Sequence, residues 1–368
     1  MKPAVIFSFI IFTAFSRLAG QEVPDTISPS GRLYFGFHNI NFIKDDEYSN
    51  PVIEGYTLIG YLLQPEITYR PASIVTMKLG AHLLSYSGTN RFSQIKPVFS
   101  TTINFGKRSY VTLGSLSAGY REYLFDPNFN KERLYTSYSD EGIQLRLRNN
   151  ILLSDTWVNW ENFIFKGDSD REVFTAGESL RYSSPLLLER LRIHVPVQIM
   201  FKHFGGQISN YPEEVETYMN AATGIILELD RGGLKPGVAG IELLAFTGRS
   251  LTKNAPSGIN KGYGLWGKVF CSYKGAELMA GYWKSHDFYA PEGNFIFSSV
   301  SDHLENVIVH NRNIITGSAS ISLLPESFLK IYFAADGYYD INLKRLDSAI
   351  TLHLRFDRLF RITTLKPE

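Results

Sequence analysis

Eight histidines, His38, His82, His194, His203, His286, His303, His310 and His353, are the side chains here best suited to moving protons near neutral pH. None sits in a Gly-x-Ser-x-Gly or His-Glu-x-x-His context, so the sequence encodes neither a nucleophile elbow nor a zinc-protease helix. Two runs do set a histidine beside an acid and a hydroxyl, Ser285-His286-Asp287 and Ser301-Asp302-His303. General-base or nucleophilic chemistry is available to such pairs, but a polar loop produces them by chance equally well, and the chain is expected to be no enzyme. Cys271 is the single cysteine, which excludes an intramolecular disulfide and a thiolate metal cage. No metal or cofactor is expected.

What must position these residues is legible from composition and pattern. Of 368 residues, Lys and Arg number 37 against 36 Asp and Glu, a balance that argues against nucleic acid as a partner. Mean hydropathy is near zero, too low for repeated apolar helical spans. Aromatic residues make up 14% of the chain, which favours strands.

Residues 1–20 read as a signal peptide. Lys2 precedes an apolar run from Ala4 to Phe15, and small residues follow before Gln21. Leu18-Ala19-Gly20 resembles the start of a lipobox, but Gln21 stands where the lipidated cysteine would be. Residues 21–368 are then one exported domain.

Period-2 alternation dominates that domain. In the run from Ile350 to Asp357, Ile350, Leu352, Leu354 and Phe356 share one face, while Thr351, His353, Arg355 and Asp357 share the other. Arg190 to Lys202 repeats the arrangement, with Arg192 and His194 on the polar side. Strands are expected near 31–43, 57–70, 73–86, 95–105, 108–118, 142–154, 156–166, 171–184, 190–203, 217–230, 236–248, 262–273, 276–286, 307–324, 327–338 and 346–360. Tight connections, among them Ser154-Asp155 and Lys274-Gly275, alternate with long polar loops.

An even count of long strands, short turns on one rim and long loops on the other predict an all-β fold. It is a transmembrane antiparallel up-and-down β-barrel of about 16 strands. A soluble sandwich would have shorter strands. Tyr and Trp near strand ends, such as Tyr61, Tyr182, Tyr263 and Tyr282, suit the aromatic girdles of a membrane wall.

The stretch Trp157-Val158-Asn159-Trp160-Glu161-Asn162-Phe163, followed by the run from Asp170 to Gly177, resembles a porin-like group of Bacteroidota outer-membrane β-barrels. The resemblance implies an outer-membrane location and no catalytic residues. The C-terminal Leu365-Lys366-Pro367-Glu368 departs from the aromatic ending common in bacterial barrels.

The expected function is passage of small polar solutes, sugars among them, through a hydrated lumen. The runner-up is a plugged barrel serving as an anchor or subunit of an envelope assembly, and an outer-membrane hydrolase comes third. Expected partners are outer-membrane lipid and lipopolysaccharide, the transported solutes, and the barrel-assembly machinery during biogenesis. Loop 119–141 carries six aromatics and is expected to enter the lumen, because exposed rings need a surface to cover. Its Arg121, Tyr123 and Arg133 are expected to face wall residues Arg146, Arg148, Glu161 and Glu228. Arg192, His194, His353 and Arg355 are expected to line the lumen elsewhere.

Overall fold

The computed structural model describes residues 30–365, apart from 107, 117–122, 207, 209, 213, 231–236, 254 and 326. The expected signal peptide and Arg121 lie outside the described residues. The strands are β1 (Arg32–Glu47), β2 (Thr57–Ala72), β3 (Val75–Tyr86), β4 (Gln94–Asn104), β5 (Tyr110–Leu116), β6 (Asp140–Arg148), β7 (Leu152–Asn162) and β8 (Glu172–Ser183). They continue with β9 (Leu191–Gly205), β10 (Glu216–Asp230), β11 (Gly237–Ser250), β12 (Lys261–Tyr273), β13 (Ala276–His286), β14 (Asn311–Leu323), β15 (Leu329–Asp340) and β16 (Arg345–Thr364).

Each strand pairs antiparallel with the next, and β1 pairs with β16 from Arg32↔Thr364 to Glu47↔Ser348, closing a barrel. Closure leaves no sheet edge, so the backbone polar groups that face hydrocarbon are satisfied within the wall. The barrel is of the outer-membrane type, and the outer membrane is where it belongs.

Both ends of the strand sequence, Arg32 and Thr364, lie on the rim with the short turns, which is the periplasmic one. One such turn is Lys274-Gly275, where both residues have positive φ (49° and 83°), as a two-residue hairpin of the right twist requires. The opposite, outer rim carries the long connections, including residues 123–139 and 287–310.

Alternation fixes the faces. On β16, Ile350, Leu352 and Leu354 are exposed on the lipid side, whereas Asp347, Ala349 and Thr351 are buried within the barrel. On β9, Val197 is exposed and His194, Gln198 and Lys202 are buried. Replacing Val197 with Arg is therefore expected to cost about 2–4 kcal/mol, the midplane penalty on a lipid face. Arg192→Gln, on the lumen face, should shift stability by no more than about 0.5 kcal/mol. A refolding titration in which the two variants lose equal stability would refute this register, since a one-residue slip exchanges every face.

Several strand bounds and one turn shift from expectation. The turn placed at Ser154-Asp155 lies instead at 149–151, capped by the Asn149 side chain accepting from the backbone of Ile151 and Leu152 at 2.9 and 2.8 Å. Asp155 is a fully buried wall residue, bonded by Gln144 at 2.7 Å. β1 also runs four residues past its expected end, because Asp45 still pairs with Thr57 and Ile350.

The core sits inside the outer half of the barrel. Trp283 is wholly buried and its ring occupies the space above Gly264, where a Cβ would come within 2.2 Å of it. Around it pack Phe246, Trp266, Phe288, Ile296, Phe297 and Ile314.

Candidate functional site

The outer half of the lumen is filled by two loops that fold onto each other. The Asn130 backbone N–H donates to the Glu292 backbone carbonyl at 2.7 Å, and that of Asn294 donates to the Asp126 carbonyl at 2.8 Å. From the first loop, Tyr135 packs on Phe42 (4.8 Å between ring centroids), Tyr138 stacks on His82 (5.8 Å), and Phe125 meets Phe246 edge-on. Leu124 and Phe129 bury against Trp157 and Met200. Phe125, Phe129, Tyr135 and Tyr138 of this loop thus have an inner wall to cover, which removes them from water.

Ion pairs hold this plug. Arg133 lies 2.8 Å from Glu292 and 3.8 Å from Glu161. Lys202 reaches Glu161 at 2.8 Å and also pairs with Glu292. Glu132 accepts from Lys44 at 2.6 Å and from the Tyr56 hydroxyl. Burial opposes its charge, yet Lys44 and these hydrogen bonds keep the Glu132 carboxyl below its usual range.

The residues singled out from sequence divide between plug and lower lumen. Tyr123 meets Arg146, whose Nη2 donates to the phenol at 3.3 Å, and Arg133 meets Glu161. His353 bonds the Tyr135 hydroxyl at 2.7 Å. Glu228 stays away from the loop and lies 3.5 Å from His194, while Arg355 pairs with Asp357. Arg148, at the periplasmic end of β6, has Ser109 accepting from its backbone N–H at 3.1 Å. Arg192 lies across the β9–β10 ladder from Glu228.

Sequence reasoning passed over other groups. His38 bridges Asp357 (2.7 Å) and Glu66 (3.3 Å), and buried Arg312 donates to Asp340 at 2.6 Å. Only the barrel closure and the strand register bring these partners together.

The two loop runs that could do chemistry resolve differently. His303 has both Ser301 and Asp302 on the same ring nitrogen, at 3.5 and 2.8 Å, so no relay passes through its ring. Ser285 points inward, accepting from the Trp283 indole at 3.1 Å, and is lost as a partner for outward-facing His286. Asp287 takes its place. Its left-handed backbone, φ 51°, is tolerated by an aspartate, and its carboxylate bonds His310 Nδ1 at 2.6 Å while lying 3.6 Å from His286 Nε2. His286 Nδ1 lies 3.0 Å from Asn311 Oδ1. Gly262 supports the turn, since a Cβ there would lie 1.7 Å from the Asp287 carbonyl oxygen.

This cluster stands at the outer rim, where β13 ends and β14 begins. Below and beside it the outward positions of β11 to β13 carry Arg249, Lys261 and Lys284, with Tyr263 and Tyr282 between them. Among the described residues no carboxylate faces outward at the outer ends of β10 to β13. The patch is therefore cationic, rimmed by amphipathic rings, with a histidine–aspartate pair above it.

The fold is similar to that of a loop-deletion mutant of OmpT, an outer-membrane protein of Vibrio cholerae (TM-score 0.51, 10% identity, covering 89% of this chain and 99% of that one). It is similar to Pseudomonas aeruginosa OccK8 (OprE), with TM-score 0.51, 12% identity and coverage of 89% and 98%. A BenF-like porin from Pseudomonas fluorescens Pf-5 is similar too (TM-score 0.50, 9% identity, 90% and 100%). These likenesses make the barrel porin-like in fold. No curated protein matches the sequence. The expectation that the chain is no enzyme is overturned by the match of residues 24–365 to the model of an enzyme family: the chain belongs to the Lipid A 3'-O-deacylase-type family.

Proposed function

We propose that this barrel hydrolyses an acyl ester of a phosphorylated lipid in the outer leaflet, of the kind for which its family is named, at the outward rim of β11 to β14. The observation that carries this reading is the Asp287–His310 pair at 2.6 Å, with His310 and His286 both exposed at the outer rim. Asp287 holds Nδ1 of His310, leaving Nε2 to take a proton from water as that water attacks the ester carbonyl. The carbonyl C–O bond to the alcohol then breaks, and the imidazolium returns the proton to the leaving oxygen. Arg249, Lys261 and Lys284 are placed to hold lipid phosphates, and positive charge facing anionic headgroups is worth most at this interface.

His310→Gln should lower fatty-acid release from lipopolysaccharide vesicles by about 10²-fold or more, the usual share of a positioned general base. Asp287→Asn should lower it in the same direction, and Lys284→Gln should raise the apparent KM with little change in kcat. Full activity in His310→Gln together with loss in His303→Gln would move the chemistry to the Asp302–His303 pair of the same loop.

A second reading, passage of small polar solutes, is supported by the polar lower lumen around Glu66, Arg146, Glu228 and Arg355. Passage requires the plug to move, since the outer half of the lumen is packed with apolar side chains.

A further inference from the structure

Beneath the plug, three adjacent strands place a serine, a histidine and a glutamate side by side on the inner wall. Ser183 is the last residue of β8 and lies opposite His194 in the β8–β9 ladder. Its hydroxyl lies 2.7 Å from His194 Nδ1. On the other side of the ring, His194 Nε2 lies 3.5 Å from Glu228 Oε2 on β10. The partners assign the tautomer: the Ser183 hydroxyl donates to Nδ1, and the Nε2 proton is directed at the carboxylate. His194 is only 5% exposed, while Ser183 and Glu228 stay partly open to the lumen.

The surroundings carry both signs, with Arg181 and Arg192 beside Glu228 and Glu242. Arg181, the next inward residue on β8, has its Nε buried without a hydrogen-bond partner, and Arg192 is the next inward residue on β9. Nothing in the rim chemistry uses this row, and its position at the periplasmic end separates it from the outer leaflet by the plug.

We infer that Ser183, His194 and Glu228 form a second, lumenal hydrolytic site that takes short acyl esters bearing an anionic group from the periplasmic side. A serine bonded to a buried histidine that is itself backed by a carboxylate is the arrangement that generates an alkoxide-like nucleophile. Ser183 Oγ adds to the ester carbonyl and its proton passes to His194 Nδ1. The alcohol leaves with that proton, giving an acyl-serine. Water then adds to the acyl carbon, losing its proton to the same nitrogen, and the acid departs as Ser183 recovers its hydrogen. Glu228 stabilises the imidazolium in both halves. Arg181 supplies an unsatisfied donor for the anionic end of the substrate.

The test uses the full-length mature barrel, folded in detergent and checked by its heat-dependent gel shift. It is exposed to a fluorophosphonate probe, and the adduct is located by peptide mass spectrometry. The inference expects labelling at Ser183 that is lost in Ser183→Ala and in His194→Gln, with both variants folded and His310→Gln labelled like the wild type. Para-nitrophenyl hemisuccinate should be hydrolysed with a kcat/KM about tenfold above para-nitrophenyl butyrate, and Arg181→Gln should erase that preference, as loss of one charge-assisted contact would. A folded barrel in which Ser183 stays unlabelled, or in which buried Ser179 is labelled equally, overturns the inference and leaves a structural hydrogen bond. Should His194→Gln fail to fold, Glu228→Gln serves in its place, and labelling undiminished in that variant also counts against the site.

Discussion

Removing residues 123–138 is expected to turn a closed barrel into a conducting one. These residues fill the β1 to β9 side of the outer lumen through Tyr135 on Phe42, Tyr138 on His82, and Leu124 and Phe129 on Trp157. A barrel of sixteen strands is wide enough for an aqueous channel once its contents leave, because side chains alone fill only about eight strands' worth of interior. Assembly should survive, since β5 and β6 keep their partners from Tyr110↔Arg146 to Leu116↔Asp140 and a shortened loop changes closure entropy only slowly. In planar bilayers the full chain should show rare, small openings and the deletion frequent, severalfold larger ones. Equal conductance from two folded forms would mean that the loop does not block the lumen.

Asp340→Ala should be among the most damaging single substitutions in the wall. Arg312 is fully buried, donates to Asp340 at 2.6 Å, and also donates to the carbonyls of Ser298 and Ile296 in the second loop. Taking away the carboxylate leaves a buried guanidinium without its hydrogen-bonded counter-ion, with only the more distant Asp347 of opposite charge nearby, a loss of about 3–5 kcal/mol. The Arg312→Met, Asp340→Leu double variant should recover most of that stability, because an apolar pair of similar volume needs no partner. Urea titration of the folded barrel in detergent separates the cases. A loss below about 1 kcal/mol for Asp340→Ala would mean that water reaches Arg312 and solvates it.

The barrel was readable because the membrane forces a strict alternation on its wall. Ile350, Leu352 and Leu354 could face only lipid, and Thr351 and His353 only the lumen, once period 2 was recognised. The same rule explains the misplaced turn. A lumen-facing aspartate such as Asp155 looks like loop composition, and Ser154-Asp155 imitates a turn signal that Asn149 supplies in fact. Loop 119–141 was legible from its six aromatics, whereas the partners that lock it, Glu292 and Lys44 above all, lie far away in sequence. Histidine chemistry was harder to read. Asp287 and His310 stand at the two ends of a long loop, and His194 meets Ser183 and Glu228 only through two strand registers. Local motifs cannot report groups that neighbouring strands bring together, and the absence of such motifs led to the mistaken expectation of no enzyme.

Mass spectrometry of the lipid itself tests most directly whether the outer rim cleaves an ester in outer-leaflet lipid. Lipopolysaccharide is incubated with the folded full-length barrel, and the lipid portion is released and weighed. The expected result is a species lighter by one ester-linked acyl chain, with free fatty acid in equal amount, formed by the wild type and by Ser183→Ala but not by His310→Gln. An unchanged lipid mass with the folded wild-type barrel, or the same loss with His310→Gln, would contradict such cleavage.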